Sequence, residues 1–276
     1  MSAKEIKEYF EFVKTIILQA GEIVTEGFYK DDKNVEIKNE SIFDLVTMYD
    51  KKVEELFTNN LKTRYPSHKI IGEETWPTGQ EIKLTDEPTW IIDPIDGTTN
   101  YAKNIPLIGI SVALAIKKNV VIGIVYNPIL NQFYSAIKGE GSYYNGKRIY
   151  STKNEDLQKS VVSNEISLAS IPRLHERTMK RIKSLTKFDI FCNSFRSLGS
   201  AAITLCYLAD GKIDVYFTDG LKCWDIAAGI LILQEAGGCA CCSNGEPYDM
   251  FSKTLVAAGN EALLKEIVKH LKECDD

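Results

Sequence analysis

The pattern of apolar residues changes once along this chain, near position 150, and that change limits the folds open to it. Between 107 and 149 three β-rich runs, IGISVALAI, VVIGIVY and QFYSAI, are separated only by short turns such as KKN and NPILN. Tyr144-Asn145-Gly146-Lys147 carries the Asn-Gly pair of a tight hairpin. This block predicts an antiparallel meander. After 150 the grammar alternates. SVVSNE, FDIFCN, KIDVYF and TLVAAG read as strands. Stretches 172–186, 199–209, 224–236 and 261–273 read as helices, with Gly211 and Gly237-Gly238 as stops. Such alternation favours a layered α/β unit.

Two helices are expected ahead of the meander. Ile6, Tyr9, Phe10, Val13, Ile16, Ile17, Ala20 and Val24 have helical spacing over about 4–28. A second helix, about 44–64, turns Val46, Tyr49, Val53, Leu56, Phe57 and Leu61 inward, carries Asp50, and stops before Pro66. KIIGEE and TWIID follow as strands. The expected division is 1–150, an α+β half with the antiparallel sheet, and 151–276, an α/β half. No Gly/Ser linker separates them, so they should pack tightly.

Length and charge narrow the function. The 276 residues suffice for a real core, and a net charge of −5 argues against a broad nucleic-acid footprint. The longest apolar run stops at Lys117-Lys118-Asn119, too short for a bilayer span, and the N-terminus, which carries acids and lacks a clean apolar core before a cleavage site, does not read as a signal peptide. With 7 cysteines, an odd number, a reducing cytoplasmic setting is expected. CACC at 239–242 lacks the paired spacing and nearby histidines of a zinc site and reads as small buried hydrophobes.

The chemistry gathers in acids at strand ends. Asp93 and Asp96 follow the apolar strand TWII, where open α/β sheets place ligands. Pro94 lacks a donor N–H, and Gly97 permits a tight turn that would aim the Gly97 and Thr98 N–H groups at an anion. Glu73 and Glu74 end KIIG, and Asp225 stands at the start of a helix. A single capped turn accounts for one acid, not for two. Two carboxylates ~4 Å apart at an effective dielectric of ~20 repel by roughly 4 kcal/mol. A cluster of them therefore needs cations, and an all-oxygen donor set selects Mg²⁺, Mn²⁺ or Ca²⁺ over zinc.

GEE at 72–74, WIIDPIDGTTNY at 90–101 and CWDIAAGILILQEAGG at 223–238 resemble the signatures of the inositol monophosphatase family. FDLVTMYDKKVE at 43–54 and RSLGSAA at 196–202 resemble its other familiar stretches, in the family's order over nearly the whole chain. The resemblance implies a layered αβαβα sandwich of the inositol monophosphatase / fructose bisphosphatase type, usually a homodimer. It implies Mg²⁺-dependent hydrolysis of a phosphate monoester, myo-inositol monophosphate above all, with two or three ions per site and no covalent enzyme intermediate. Glu73, Asp93, Asp96 and Asp225 would ligate metal by side chain and Ile95 by its carbonyl. Asp50 and Thr98, with Glu73 nearby, would orient the attacking water. Gly97 and Thr98 would hold phosphate, and Gly199, Ser200 and Ala201 would meet the inositol hydroxyls. Lys38 matches a lysine near the site, and either Ser163 or Ser167 a further contact. Lithium inhibition is also implied.

One position departs from the pattern. Thr218 stands where animal members carry a Glu that bonds a sugar hydroxyl; Thr218 can still hydrogen-bond, and Asp219 beside it could turn in as a substitute. That swap could change affinity or substrate range, so another small sugar or nucleotide phosphate is the alternative substrate. IDGTT also resembles the haloacid-dehalogenase signature, but there the two acids are two positions apart, and here they are three apart. A catalytically silent metal- or phosphate-binding partner is a further alternative, disfavoured because every ligating acid is present.

Overall fold

Each of the first two long helices is opened by a capping box. The computed structural model describes residues 2–37, 45–77, 79–165, 172–186 and 192–275. In α1 (Ala3–Phe28) the Ser2 side chain accepts from Glu5 N, and Glu5 returns a bond to the Ser2 backbone. In α2 (Met48–Arg64) Thr47 and Asp50 exchange the same pair. Val13, Ile16, Ile17, Ala20 and Val24 form the buried stripe of α1, as their spacing demands. The second helix begins at Met48, later than the sequence expectation, because Thr47 is extended (φ −114°, ψ 164°). Position 44 lies outside the described residues.

These helices cover one face of a seven-stranded sheet. Its strands, in sequence and in space, are β3 (Lys69–Gly72), β4 (Thr89–Asp96), β5 (Gly109–Ile116), β6 (Asn119–Asn127), β7 (Gln132–Ile137), β8 (Gly141–Tyr144) and β9 (Lys147–Ile149). β3 and β4 are parallel. From β4 onward every neighbouring pair is antiparallel, the meander expected from the sequence. Asn145 (φ 47°) and Gly146 (φ 78°) make its last turn. A separate two-stranded ribbon joins β1 (Glu36–Ile37) to β2 (Leu45–Val46).

Strand alternation divides the core. Trp90, Ile92, Ile110, Val112 and Leu114 face α1 and α2. Ile91, Ala113 and Ala115 face the opposite side, where α5 (Ala201–Ala209) and α6 (Cys223–Glu235) pack. Beyond those helices lies a five-stranded sheet in the order β11 (Ser194–Arg196), β10 (Val161–Ser163), β12 (Val215–Asp219), β14 (Thr254–Ala258), β13 (Cys239–Cys241). Helices α4 (Pro172–Leu185) and α7 (Glu261–Asp275) cover its far face. The result is the expected αβαβα sandwich. Residues from both sides of position 150, such as Ile91 with Leu205 and Ile230, share one core cluster.

Most of FDIFCN, for which a strand is expected, lies at 188–191, outside the described residues; beyond it Ser194–Arg196 pairs in parallel with Val161–Ser163. Two local expectations are corrected. The helix expected from 199 starts at Ala201, because Gly199 has φ +76°, which no right-handed helix accepts. Cys239–Cys241 is an edge strand, paired with β14, that the sequence reading leaves without an element. All 7 cysteines are free, and burial pushes the Cys239 and Cys241 thiols up to about 11.

α6 is apolar nearly all round because sheets lie on both sides of it. A Cβ at Gly123 of β6 would stand 2.6 Å from the Ala228 carbonyl oxygen of α6. Gly123→Ala should therefore force sheet and helix apart. The expected loss is about 1–3 kcal/mol, read as a lower urea midpoint with an unchanged slope.

Candidate metal centre and active site

Asp93 and Asp96 are three residues apart on β4, a spacing that puts side chains on opposite faces of a regular strand. The pairing with β5 removes the conflict. Asp93 pairs with Ser111 and Asp96 with Gly109, so three steps along β4 match two along β5. The extra residue is a β-bulge, and it returns both acids to one face. Pro94 lies within it, where a missing N–H is tolerated. That face looks toward α6: Ser111 Oγ donates to the Trp224 carbonyl at 3.0 Å. The Ile95 side chain turns the other way, fully buried in the cluster beneath α1 and α2.

Asp225 reaches the same place from the first turn of α6, where its carboxylate accepts from Lys222 N at 2.7 Å. One carboxylate oxygen from each of Asp93, Asp96 and Asp225 lies within 4.8 Å of the others. Asp93 and Asp96 are buried, and Asp225 is half-buried at the rim. Asp96 accepts from the Ser200 hydroxyl and from Ala202 N (2.8 Å), both at the start of α5. Asp93 accepts from Ile95 N at 3.0 Å.

The electrostatics are severe. Burial, then the charges of Glu73, Asp96 and Asp225, pushes the Asp93 carboxyl well above the usual carboxylate range. Burial raises Asp96 to about 7 against the pull of its Ser200 and Ala202 bonds. Burial and the Asp96 and Glu73 charges raise Asp225 as well. Among the described residues no lysine or arginine pairs with any of these three acids, whereas buried Asp219 is paired with Arg177 (2.6 Å) and Arg181 (3.3 Å). Neutral donors do not cancel three charges at this distance. An all-oxygen set this close fits a hard divalent cation, and among the described residues no other His, Cys, Asp or Glu group does.

Gly97 and Thr98 adjoin this centre along the chain, and Glu73 across the sheet. Glu73 follows β3, its N–H bonded to the Ile92 carbonyl (3.2 Å) and its carboxylate near enough to Asp93 to push that carboxyl up. Gly97 (φ +89°) is the N-cap of α3 (Thr98–Ala102), which has no side-chain cap. A Cβ there would stand 2.9 Å from the Gly199 carbonyl oxygen, so glycine lets two site loops touch. Thr98 Oγ1 donates to the Ile95 carbonyl at 3.2 Å. Asp50 is fully buried on α2, where one oxygen accepts from Thr47 N at 2.8 Å.

Sequence reasoning did not anticipate what holds the GSA segment. Ser200 is buried and spends its hydroxyl on Asp96; Ala201 is buried as the first residue of α5. The preceding loop is gripped by buried Glu165, which accepts from Gly199 N (2.8 Å), Leu198 N (3.3 Å), Ser197 Oγ (3.2 Å) and Thr204 Oγ1 (3.2 Å). Nothing in SNE distinguishes this glutamate from a surface one. On β12, Tyr216 belongs to the cluster facing α5 and α6, and Phe217 to the one beneath α4 and α7. Alternation sends Thr218 to the site side, with its buried hydroxyl unpartnered, and Asp219 away to Arg177 and Arg181. Asp219 thus does not substitute for the missing glutamate. Ser163 is buried and donates to the Arg196 carbonyl (3.1 Å). Lys38 and Ser167 lie outside the described residues.

Residues 5–276 match the family model of the inositol monophosphatase family. Human inositol monophosphatase 1 is 37% identical over 266 residues, covering 96% of this chain and 95% of that one. Inositol monophosphatase 3 of Solanum lycopersicum is 39% identical over 269 residues, covering 97% and 98%. The structure of an IMPase from Thermotoga maritima superposes with a TM-score of 0.82 at 29% identity, covering 97% of this chain and 98% of that one. An acidic centre built from β4 and α6, on a fold shared end to end with these proteins, places the chain in the inositol monophosphatase family, as a phosphatase of that family.

Proposed function

We propose that the protein hydrolyses myo-inositol monophosphate to inositol and phosphate with Mg²⁺, by direct attack of water. The observation that carries this reading is the meeting of Asp93, Asp96 and Asp225 with carboxylate oxygens inside 4.8 Å and, among the described residues, no lysine or arginine paired with them. Glu73, Asp93, Asp96, Asp225 and the Ile95 carbonyl would hold the metal. When bound, two or three ions would supply charge neutralisation for the phosphate and acidify the attacking water.

The chain's own groups do the positioning. The uncapped N-terminus of α3 offers the Gly97 and Thr98 N–H groups to phosphate oxygens. Asp50, Glu73 and the Thr98 hydroxyl orient the water for in-line attack. Gly199, Ser200, Ala201 and Thr218 border the polyol. No side chain need be phosphorylated. A second reading, turnover of another small sugar or nucleotide phosphate, is favoured by one observation. Thr218 is neutral, and Asp219 points away from the pocket. The homodimer is inferred from the family resemblance, and a cytoplasmic setting from 7 free cysteines. Among the described residues no helix is long and apolar enough to cross a membrane.

The deciding experiment is phosphate release from a panel of inositol, sugar and nucleotide monophosphates, with Mg²⁺ titrated and a chelator control. Inositol monophosphate should lead the panel, chelator should abolish turnover, and millimolar lithium should inhibit. Faster turnover of every other substrate would overturn the inositol assignment. Asp96→Asn preserves the acceptor for Ala202 N and should melt near wild type. It should lose more than about a hundredfold in kcat/KM, beyond the usual cost of removing an outer partner of a metal ligand.

A pH effect follows from Asp96. Its carboxyl rises from 3.8 to about 7 on folding. The folded chain therefore holds this proton more tightly than the unfolded chain. Its contribution favours folding below about pH 4 and is lost as pH climbs through about 7. Melting of metal-free protein should weaken across that window, and Mg²⁺ should stabilise most at its upper end. Asp96→Asn should flatten the metal-free slope; an identical slope in both proteins would contradict the assignment.

A further inference from the structure

Asp50 and Glu54 are four residues apart on α2 and so share one face of the helix. Glu54 appears in none of the roles above, yet its side chain is buried at 1% exposure. Its Oε2 accepts from Glu74 N at 2.8 Å. The carboxylate occupies space that only a glycine leaves open. A Cβ on Gly72, the last residue of β3, would stand 2.4 Å from Glu54 Cδ and Oε1 and 2.7 Å from Oε2.

Glu73 lies between these two contacts. Its own N–H is bonded to the Ile92 carbonyl of β4 at 3.2 Å. Gly72 before it abuts the Glu54 carboxylate, and Glu74 after it donates to that carboxylate. The turn closes through Trp76 N, which donates to the Gly72 carbonyl at 3.0 Å. With β4 on one side and α2 on the other, the direction of the Glu73 side chain toward Asp93 depends on both.

We propose that Glu54 is a positioning residue for the metal centre: through the gap at Gly72 and the bond from Glu74 N it aims Glu73 at the site of the divalent cation. This rests on the metal reading of the site given above. A carboxylate that merely filled the core would affect stability and leave metal affinity alone. A brace affects metal affinity in protein that is still folded.

The test is calorimetric titration of Mg²⁺ alone into the full chain, with melting curves for each variant. Glu54→Ala should weaken Mg²⁺ binding about tenfold or more, the range for losing a partner that orients a metal ligand. Glu54→Gln retains an acceptor for Glu74 N and should weaken it much less. Gly72→Ala pushes the carboxylate out and should reproduce the loss. In the Glu54→Ala/Gly72→Ala double variant the new methyl meets no carboxylate, so its loss should not exceed the larger single loss. In each folded variant the half-saturating Mg²⁺ concentration should rise more than the substrate KM. Should Glu54→Ala fail to fold, Gly72→Ala and Glu54→Gln decide between the outcomes. Normal Mg²⁺ binding by folded Gly72→Ala and Glu54→Ala, or additive losses in the double variant, would overturn the brace and leave the metal reading standing. Wild type that takes up no Mg²⁺ would overturn both.

Discussion

A strand cannot point residues three apart in the same direction unless its ladder slips by one, and the centre of this protein depends on that slip. The bulge between Asp93 and Asp96 turns both carboxylates toward α6 and leaves Ile95 to anchor the strand under the first helical layer. In a regular strand one acid would lie among Trp90 and Ile92, in a core with no polar partner. The bulge sits at the end of a fully buried strand, between layers that cannot shift independently. The apolar body of α6, fixed between two sheets, then delivers Asp225 from its first turn. Site geometry is thus a consequence of packing on both sides of it.

The partners of the buried acids divide them into two kinds. Asp219 is met by two guanidinium groups, and Glu165 and Glu54 by hydrogen-bond donors in the loops they hold. Among the described residues, Asp93, Asp96 and Asp225 have a few neutral donors and one another. Burial lifts Glu54 and Glu165 too, where hydrogen bonds pull them back; at Asp93, Asp96 and Asp225 the charges of neighbouring carboxylates add to burial. The arrangement costs stability in the empty protein and becomes favourable only with positive charge among the acids. Local strain of this kind marks functional sites in proteins that are otherwise internally consistent.

Much of this was legible in the sequence because the signals were local and periodic. The stripe of α1, the hairpin Asn145-Gly146 and the meander depend on neighbours within a few residues. The acids stood out because one capped turn explains only one of them. What escaped depended on partners distant in sequence. Cys239–Cys241 is a strand only because β14 lies beside it. The hydroxyl of Ser200 caps α5 and also donates to Asp96, 104 positions earlier, a partner that no local signal announces. Asp219 reads as a substitute for the family glutamate until the parity of β12 turns it outward. No single-residue signal carries such information.

Arg181 extends the site to the outermost layer. It is 1% exposed on α4, its Nε donates to Asp275 of α7 at 3.0 Å, and its other arm reaches Asp219 at the end of β12. Removing one partner from a buried ion pair costs about 3–5 kcal/mol, because the other charge stays behind without its counterion. Wear at the tail of α7 would therefore be transmitted inward along a single guanidinium, to Asp219 and the end of β12 beside Thr218. The closing helix thus acts as a remote tether for the strand that carries both residues.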